Sequence, residues 1–212
     1  MTDFAAAAAA IVETGRRLDA RGLAPASGGN YSVLLGDGTI AITLSGVHKG
    51  RLSSDQIMRV SHAGLSLDGK KPSAETLLHC LVYAVDPAAR CVLHTHSVAG
   101  TVLSRALADA RSIVLTGYEL LKIYPGLGTH DASVAMPLVD NSQDMAALAE
   151  QLQPLLTGRL PGSSQCLPAF YIRGHGLYGW GPTIAAAENV VEASEFLIAC
   201  EWETLKLHGV RQ

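Results

Sequence analysis

Apolar residues recur at helical spacing in five segments of the chain. The first begins at Asp3 and ends before Gly22, a residue type that commonly terminates helices. Ser73 is predicted to cap the second helix, and Asp86-Pro87 ends it because the residue before a proline avoids helical backbone angles. The predicted helices cover residues 3–21, 73–84, 97–107, 142–156 and 183–207.

Short runs of apolar and β-branched residues lie between these helices and predict strands. Strands at 31–35 and 39–44 flank a Gly-Asp-Gly turn, and strands at 169–173 and 177–180 flank a Gly-His-Gly turn. Further strands are predicted at 91–95, 113–115 and 134–138. Because hairpin-length turns join several strands, we expect a mixed or mainly antiparallel sheet covered by helices on both faces. No repeat or linker interrupts the pattern, which predicts a single domain over residues 1–212.

Composition narrows the functional class. Hydrophobic residues make up 48% and charged residues 17% of the chain, which is typical of a globular protein. The net charge is −3, and no basic stripe is present that would neutralise a nucleic-acid backbone. The alanine run at 5–10 is followed by Glu13, Arg16 and Arg17, which favours a helix over a leader peptide. No apolar stretch approaches the roughly 20 residues that span a bilayer.

The four cysteines indicate a reducing compartment. None belongs to a CxxC pair, and each lies in an apolar context, at positions 80, 91, 166 and 200. This pattern is typical of reduced, buried thiols rather than of a disulfide framework or an all-cysteine zinc site. We therefore expect a cytoplasmic protein with neither a nucleic-acid nor a membrane partner.

The segment Val92-Leu-His-Thr-His-Ser97 is the sharpest chemical feature. Residues i and i+2 of a strand point to the same face, so His94 and His96 present two imidazoles side by side that could chelate zinc. His175 stands between two glycines, which let the backbone turn tightly and bring a third imidazole close. Three histidines would leave a fourth coordination position open for substrate. Alternatively, one His of the pair is packed and His175 is an ordinary turn residue.

Small-residue turns recur in the first third of the chain and suggest an anion site. They are Ser27-Gly28-Gly29-Asn30, Ser45-Gly46 with Lys49 nearby, and Pro72-Ser73. Backbone N–H groups in such turns and at helix N-termini bind phosphate oxygens, and the lysine could add positive charge. The turns form one site only if folding brings them together, since Gly-Ser turns are usually just turns.

Two glutamates are candidates for acid–base chemistry. Glu75 is expected in the first turn of the helix that Ser73 caps, where a carboxylate is favourable for structural reasons alone. Glu119 lies among Tyr118, Leu120 and Leu121. It is either exposed on an amphipathic turn or a desolvated base with a raised pKa.

Five motifs in a fixed order resemble the class II aldolase and adducin-head family. They are SGGN at 27–30, SG at 45–46, PSAE at 72–75, HTH at 94–96 and GHG at 174–176. No single motif is specific, but the ordered set is, and the resemblance covers about residues 5–207. Within the family, the segments at 45–50, 116–122, 140–145 and 173–180 look most like members that remove water from a small phosphorylated ketose, a carbon–oxygen lyase reaction.

The resemblance implies a three-layer α/β/α fold around a central, mostly antiparallel sheet. It also implies a ring-like homotetramer with active sites near subunit contacts and one Zn²⁺ per subunit. His94, His96 and His175 take the positions of the family's zinc ligands. The ligands alone do not distinguish zinc from iron or manganese, because imidazole suits all three.

The resemblance also assigns roles to the polar candidates. The positions at which aldolase relatives bind the substrate phosphate correspond to Asn30, Ser45, Gly46 and Ser73, with Lys49 as an added charge. Glu75 matches the aldolase acid–base position, and Glu119 matches the carboxylate that acts as general acid and base in the dehydratase branch. The sequence departs from animal-type dehydratases, in which a cysteine is expected where this chain has Glu75.

Three other functions remain open at the level of sequence, because fold and ligands alone do not decide the reaction. The first is an aldolase or epimerase acting on another sugar phosphate, such as fuculose or ribulose phosphate. The second is a non-catalytic, adducin-like head used for assembly. The third is a protein that binds a small metabolite without converting it.

Overall fold

Eight strands form one sheet within residues 3–157 and 167–209, the part of the chain that the computed structural model describes. In chain order the strands are β1 (Asn30–Leu34), β2 (Ile40–Thr43), β3 (Ile57–Val60), β4 (Cys91–Thr95), β5 (Ser112–Thr116), β6 (Ser133–Val139), β7 (Ala169–Ile172) and β8 (Gly176–Gly181). Their order across the sheet is β3-β2-β1-β4-β8-β7-β6-β5. Among these strands only β6 and β7 pair in parallel, which confirms the predicted, mainly antiparallel sheet.

Helices cover both faces of the sheet. They are α1 (Phe4–Ala20), α2 (Thr76–Val85), α3 (Val98–Ala106), α4 (Met145–Leu156) and α5 (Ile184–His208). Side chains alternate along the strands, so the central strands contribute to two cores. In β7, Tyr171 joins the core that includes α1, α3 and α5, whereas Phe170 joins the core that includes α2 and α4. This arrangement is the expected three-layer α/β/α fold, in which one face of the edge strand β5 stays open to solvent, as the 54% exposure of Val114 shows.

The first helix begins and ends as the sequence indicates. The Asp3 carboxylate accepts a hydrogen bond from the backbone N–H of Ala6 at 2.8 Å and so caps α1. At the other end, Gly22 has a φ of +73° and donates its N–H to Asp19. The N–H of Leu23 reaches back to the carbonyl of Leu18, which completes a glycine-dependent helix stop. None of the helices in the described ranges is long and apolar enough to cross a membrane.

Three details of the predicted elements are wrong. The second helix begins at Thr76, so Ser73 does not cap it and Glu75 lies immediately before it rather than in its first turn. The fourth helix begins at Met145, three residues after the predicted start, because the Asp144 carboxylate accepts the N–H of Ala147 and so caps it there. Strand β3 was not predicted. Of the four cysteines predicted to be buried, Cys80 and Cys91 are buried free thiols, Cys200 is a free thiol that is only half-buried, and Cys166 lies outside the described residues.

Candidate active site

Three imidazoles converge at one end of strand β4. The Nε2 atom of His94 lies 3.0 Å from Nε2 of His96 and 3.4 Å from Nε2 of His175. Ligand nitrogens about 2.0–2.1 Å from a tetrahedral zinc ion are separated by about 3.3 Å. The three nitrogens therefore have the spacing of a metal site, and the structure brings the predicted ligands together.

The strand registers explain how the first two imidazoles meet the third. His94 and His96 alternate with Thr95, so both rings lie on one face of β4 and the threonine lies on the other. Thr95 pairs with Leu177 in β8, which places the turn carrying His175 beside the end of β4. On the opposite face, the Thr95 hydroxyl donates to the buried carboxylate of Glu195 at 2.8 Å, which anchors the segment between the two ligands.

The His94 ring is oriented by a backbone contact. Its Nδ1 atom donates to the carbonyl of Leu177 at 2.9 Å, which leaves the lone pair on Nε2 free to bind a metal. Burial lowers the pKa of His94 below its ordinary value and lowers the pKa of His96 to about 4. Both rings are therefore neutral near pH 7, the form that coordinates metals.

The turn at His175 is held from outside the site. Gly174 has a φ of +64°, and its N–H donates to the hydroxyl of Ser104 at 2.9 Å. The adjacent Arg173 side chain donates to Asp140 and to the carbonyls of Ser104, Leu107 and Ala110 near the end of α3. The third imidazole is thus positioned by helix α3 rather than by the sheet alone.

Gly176 gives a direct test of this close packing. A Cβ atom at position 176 would overlap the carbonyl oxygen of Thr95 and lie 2.7 Å from Cε1 of His94. We expect Gly176→Ala to lower the free energy of unfolding by about 1–3 kcal/mol, as overpacking does, and to weaken metal binding. Gly128→Ala is the matched control, because a Cβ there meets nothing within 4 Å. Denaturation and metal titration measure both effects; equal behaviour of the two variants would contradict the prediction.

Glu75 adjoins the three imidazoles. Its Oε2 atom lies 3.3 Å from Nε2 of His94, and its Oε1 atom lies 3.2 Å from Nε2 of His175. Oε2 also accepts hydrogen bonds from the Asn30 amide at 2.7 Å and from the Tyr178 hydroxyl at 2.9 Å. Burial by itself would raise the pKa of Glu75, but the contacts with His175 and Asn30 lower it below its ordinary value. The carboxylate is therefore ionised and next to the candidate metal position.

All five predicted phosphate-binding residues line a single cleft with His96, His175 and Glu75. The cleft has a volume of about 150 Å³. Its remaining walls come from the predicted small-residue turns, and its lining includes Ser27, Gly28, Gly29, Asn30, Ser45, Gly46, Lys49 and Ser73. Folding therefore brings the small-residue turns together, which the sequence alone could not establish. An anion bound at these turns would lie next to the imidazoles.

Lys49 also serves the loop itself. The side chain is almost fully buried, and its Nζ atom donates to the carbonyls of Ser27 at 2.9 Å and Val47 at 2.7 Å. Burial lowers the pKa of Lys49 to about 8, so most of these amines are charged at pH 7. Lys49 thus ties two of the cleft's turns together while it supplies positive charge beside them.

Glu119 is not brought to the cleft of its own chain. It begins a short 3₁₀ helix, Glu119–Ile123, with 73% of its side chain exposed, and pairs with Lys122 at 2.5 Å. The pKa of Glu119 is lowered, chiefly by the hydrogen bond from Lys122. Within one chain, Glu119 is therefore the exposed residue of the two alternatives, and not a desolvated base with a raised pKa.

Two residues of the site were not predicted. Tyr178 in β8 pairs with His94 in the sheet, stacks on its ring at 4.1 Å and donates to Glu75. His79, interpreted as a packed or solvated helix residue, is fully buried and hydrogen-bonded to Asn30. The spacing of Glu75 and His79 by four residues was the available signal, since such residues share one side of a helix.

Comparison with known sequences finds one matching family and several relatives near 50% identity that cover nearly the whole chain. A profile of the family described as Class II Aldolase and Adducin N-terminal domain matches residues 9–202. A protein of Methylococcus capsulatus named methylthioribulose-1-phosphate dehydratase is 47% identical over 211 residues, 100% of this chain and 98% of the relative. A protein of the same name from Granulibacter bethesdensis is 50% identical over 206 residues, covering 95% and 93% of the two chains.

Solved structures resemble the fold closely. A putative aldolase/epimerase/decarboxylase, YgbL from Klebsiella pneumoniae, superposes with a TM-score of 0.80 at 25% identity, over 100% of this chain and 95% of the other. An L-fuculose 1-phosphate aldolase gives a TM-score of 0.76 at 20% identity, over 96% and 87%. At that identity the aldolase supports the fold alone.

Proposed function

The chain belongs to the class II aldolase and adducin N-terminal domain family, and from that premise we propose that it is a methylthioribulose-1-phosphate dehydratase of methionine salvage. The observation that carries the proposal is one cleft that His96, His175, Glu75 and the predicted phosphate turns line together, with the buried His94 completing the three-imidazole cluster behind it. That cleft meets the two needs of a phosphorylated ketose, an anion site and a metal site beside it. The relatives near 50% identity supply the reaction and the substrate.

We propose one Zn²⁺ per subunit, held by His94, His96 and His175. The neutral rings of His94 and His96 and the spacing of the three ligand nitrogens suit zinc, and three protein ligands leave a position for substrate. The chemistry that the ion supplies when bound is polarisation of the substrate C2 carbonyl, which acidifies the proton on C3.

The reaction removes one molecule of water from 5-methylthioribulose 1-phosphate. A base takes the proton from C3, the C4 hydroxyl leaves as water, and a C3–C4 double bond forms. The resulting enol tautomerises to 2,3-diketo-5-methylthiopentyl 1-phosphate. In this scheme the turns at Asn30, Ser45, Gly46 and Ser73, together with Lys49, hold the phosphate and so fix C2 and C3 near the imidazoles.

Two carboxylates are assigned to proton transfer. Glu119 takes the C3 proton and returns a proton to the departing hydroxyl, which is the role of the matching carboxylate in the dehydratase branch. Because Glu119 is exposed and does not line its own cleft, the proposal requires a second copy of the chain to bring it there. A homotetramer with clefts near subunit contacts meets this requirement. Glu75 stands by the metal position as the second acid–base group.

The cysteines bear on the cellular compartment of the protein. Cys80 and Cys91 are free and buried, which suits a reducing compartment. We propose a cytoplasmic enzyme whose partner is a small sugar phosphate.

The direct test is to incubate zinc-loaded protein with 5-methylthioribulose 1-phosphate and identify the products by mass spectrometry. The proposal expects a loss of 18 mass units and the diketone. Two shorter fragments from cleavage of the C3–C4 bond would instead indicate an aldolase, and an isomer of unchanged mass would indicate an epimerase. Bound but unconverted substrate would indicate a metabolite-binding protein. Each of these results would overturn the dehydratase assignment.

A further inference from the structure

A chain of buried hydrogen bonds runs from α2 through the sheet to the carboxylate of Glu75. Nδ1 of His79 lies 2.7 Å from the hydroxyl of Ser32, and that hydroxyl lies 2.8 Å from the hydroxyl of Tyr83. Nε2 of His79 contacts Oδ1 of Asn30, and Nδ2 of Asn30 donates to Glu75 at 2.7 Å. His79, Ser32 and Asn30 are all buried.

The protons of this chain can be placed by elimination. Nδ2 of Asn30 donates to Oε2 of Glu75, so Oδ1 is the atom of the same amide that faces His79. That oxygen is an acceptor, so Nε2 of His79 must carry the ring proton. Nδ1 is then an acceptor for the Ser32 hydroxyl, which in turn accepts from Tyr83. Every polar atom is used once, and His79 is neutral, in agreement with its burial, which lowers the pKa of His79 to about 4.

We propose that His79 is a positioning residue for Glu75: its Nε2–H holds the Asn30 amide in the orientation that donates to Oε2. An unrestrained Asn30 amide could rotate by 180° and present its oxygen to the carboxylate, which would repel Glu75. With Asn30 and Tyr178 both donating to Oε2, the other oxygen, Oε1, is left to face His175 and act on substrate. The inference deepens the proposed function and rests on it only for the turnover readout.

The hydrogen-bonded chain differs from ordinary core packing in its desolvation cost. A fully buried histidine costs desolvation free energy that an apolar side chain at the same position would avoid. His79 lies opposite β1, whose residues Asn30 and Ser32 point to the same face and meet both ring nitrogens. The same strand register pairs Asn30 with His94, so the amide that His79 holds is a direct neighbour of a candidate metal ligand.

Two substitutions at His79 separate positioning from stability. Gln reaches as far as Nε2 and keeps a donor for Asn30, whereas Asn reaches only as far as Nδ1 and keeps an acceptor for Ser32. Each variant retains one of the two contacts and one buried amide, so similar losses of Tm are expected. We expect His79→Asn to lower kcat about 10- to 100-fold, the loss typical of an outer partner that orients a functional group. His79→Gln should retain most of kcat, KM should change less than kcat, and zinc content should stay at one per chain in both variants.

A spectroscopic measurement tests the tautomer without turnover. In zinc-loaded protein labelled with ¹⁵N-histidine, His79 should show a slowly exchanging proton on Nε2 and a bare Nδ1. An Nδ1–H tautomer, or equal kcat values for the Asn and Gln variants, would overturn the inference. If the wild-type protein does not dehydrate the methylthio sugar, the proposed function fails, and the tautomer measurement alone then decides the role of His79.

Discussion

A His94→Ala variant is expected to lose bound metal and more than about 100-fold of its dehydratase turnover, since even outer partners of metal ligands cost 10- to 100-fold. His94 lies between the other two imidazoles, with its Nε2 atom within 3.4 Å of both. Its removal leaves only two of the three candidate ligands. Elemental analysis of purified protein and product formation measure the two losses, which should occur together.

His62→Ala is the matched control for this experiment, because His62 is an exposed histidine outside the cleft. The control should keep full metal content and turnover. Because a buried histidine is replaced, the Tm of the His94 variant should be compared with that of wild-type protein stripped of metal by a chelator. A folded His94→Ala protein with full zinc occupancy would remove His94 from the ligand set.

Glu119→Gln is expected to lower turnover by about 10²- to 10⁴-fold, the usual contribution of a general acid–base group. The change should leave metal content and Tm as they are, because the side chain is exposed and outside its own cleft. Glu203→Gln is an unusually close control. Both glutamates are exposed and pair with a lysine three residues later, at 2.5 Å for Glu119 and 2.6 Å for Glu203.

Mixed oligomers test where Glu119 acts. If it serves the cleft of a neighbouring copy, an oligomer assembled from Glu119→Gln and His94→Ala chains contains some sites with both residues intact. Activity should then rise on mixing and reassembly well above the low turnover of either variant alone. Turnover of the Glu119→Gln protein equal to that of wild type would remove the residue from the base role. Failure of the mixture to recover would contradict its action across a subunit contact.

Local sequence patterns were enough to predict that His94, His96 and His175 would be presented for clustering. The alternation of His94, Thr95 and His96 required only a strand, and the glycines around His175 required only a tight turn. Most helix and strand bounds followed in the same way, because the capping residues and turns that set them are close in sequence. The start of α2 was predicted too early, at Ser73 instead of Thr76. Glu75 lies before the helix, and its carboxylate does not cap it because it contacts Asn30 and Tyr178, which are distant in sequence.

Features that depend on tertiary or quaternary packing could not be predicted from the chain. Asn30, Ser45 and Ser73 share a cleft only because β1, β2 and the segment before α2 meet at one end of the sheet. The role of His79 depends on which strand lies opposite it, and periodicity carries no such information. The position of Glu119 is even harder to predict, because one folded copy of the chain still leaves its carboxylate exposed to solvent.

The spacing of the ligands along the chain constrains when metal can be bound. His94 and His175 are 81 residues apart and meet only through the pairing of β4 with β8. Closing so long a loop costs entropy that later contacts must repay, so the third ligand arrives late in folding. A nascent chain can offer only two imidazoles until β8 is made and docked. An ion held by these three imidazoles would therefore act as a late cross-link rather than as a folding nucleus, and its main kinetic effect would be to slow the separation of these two central strands.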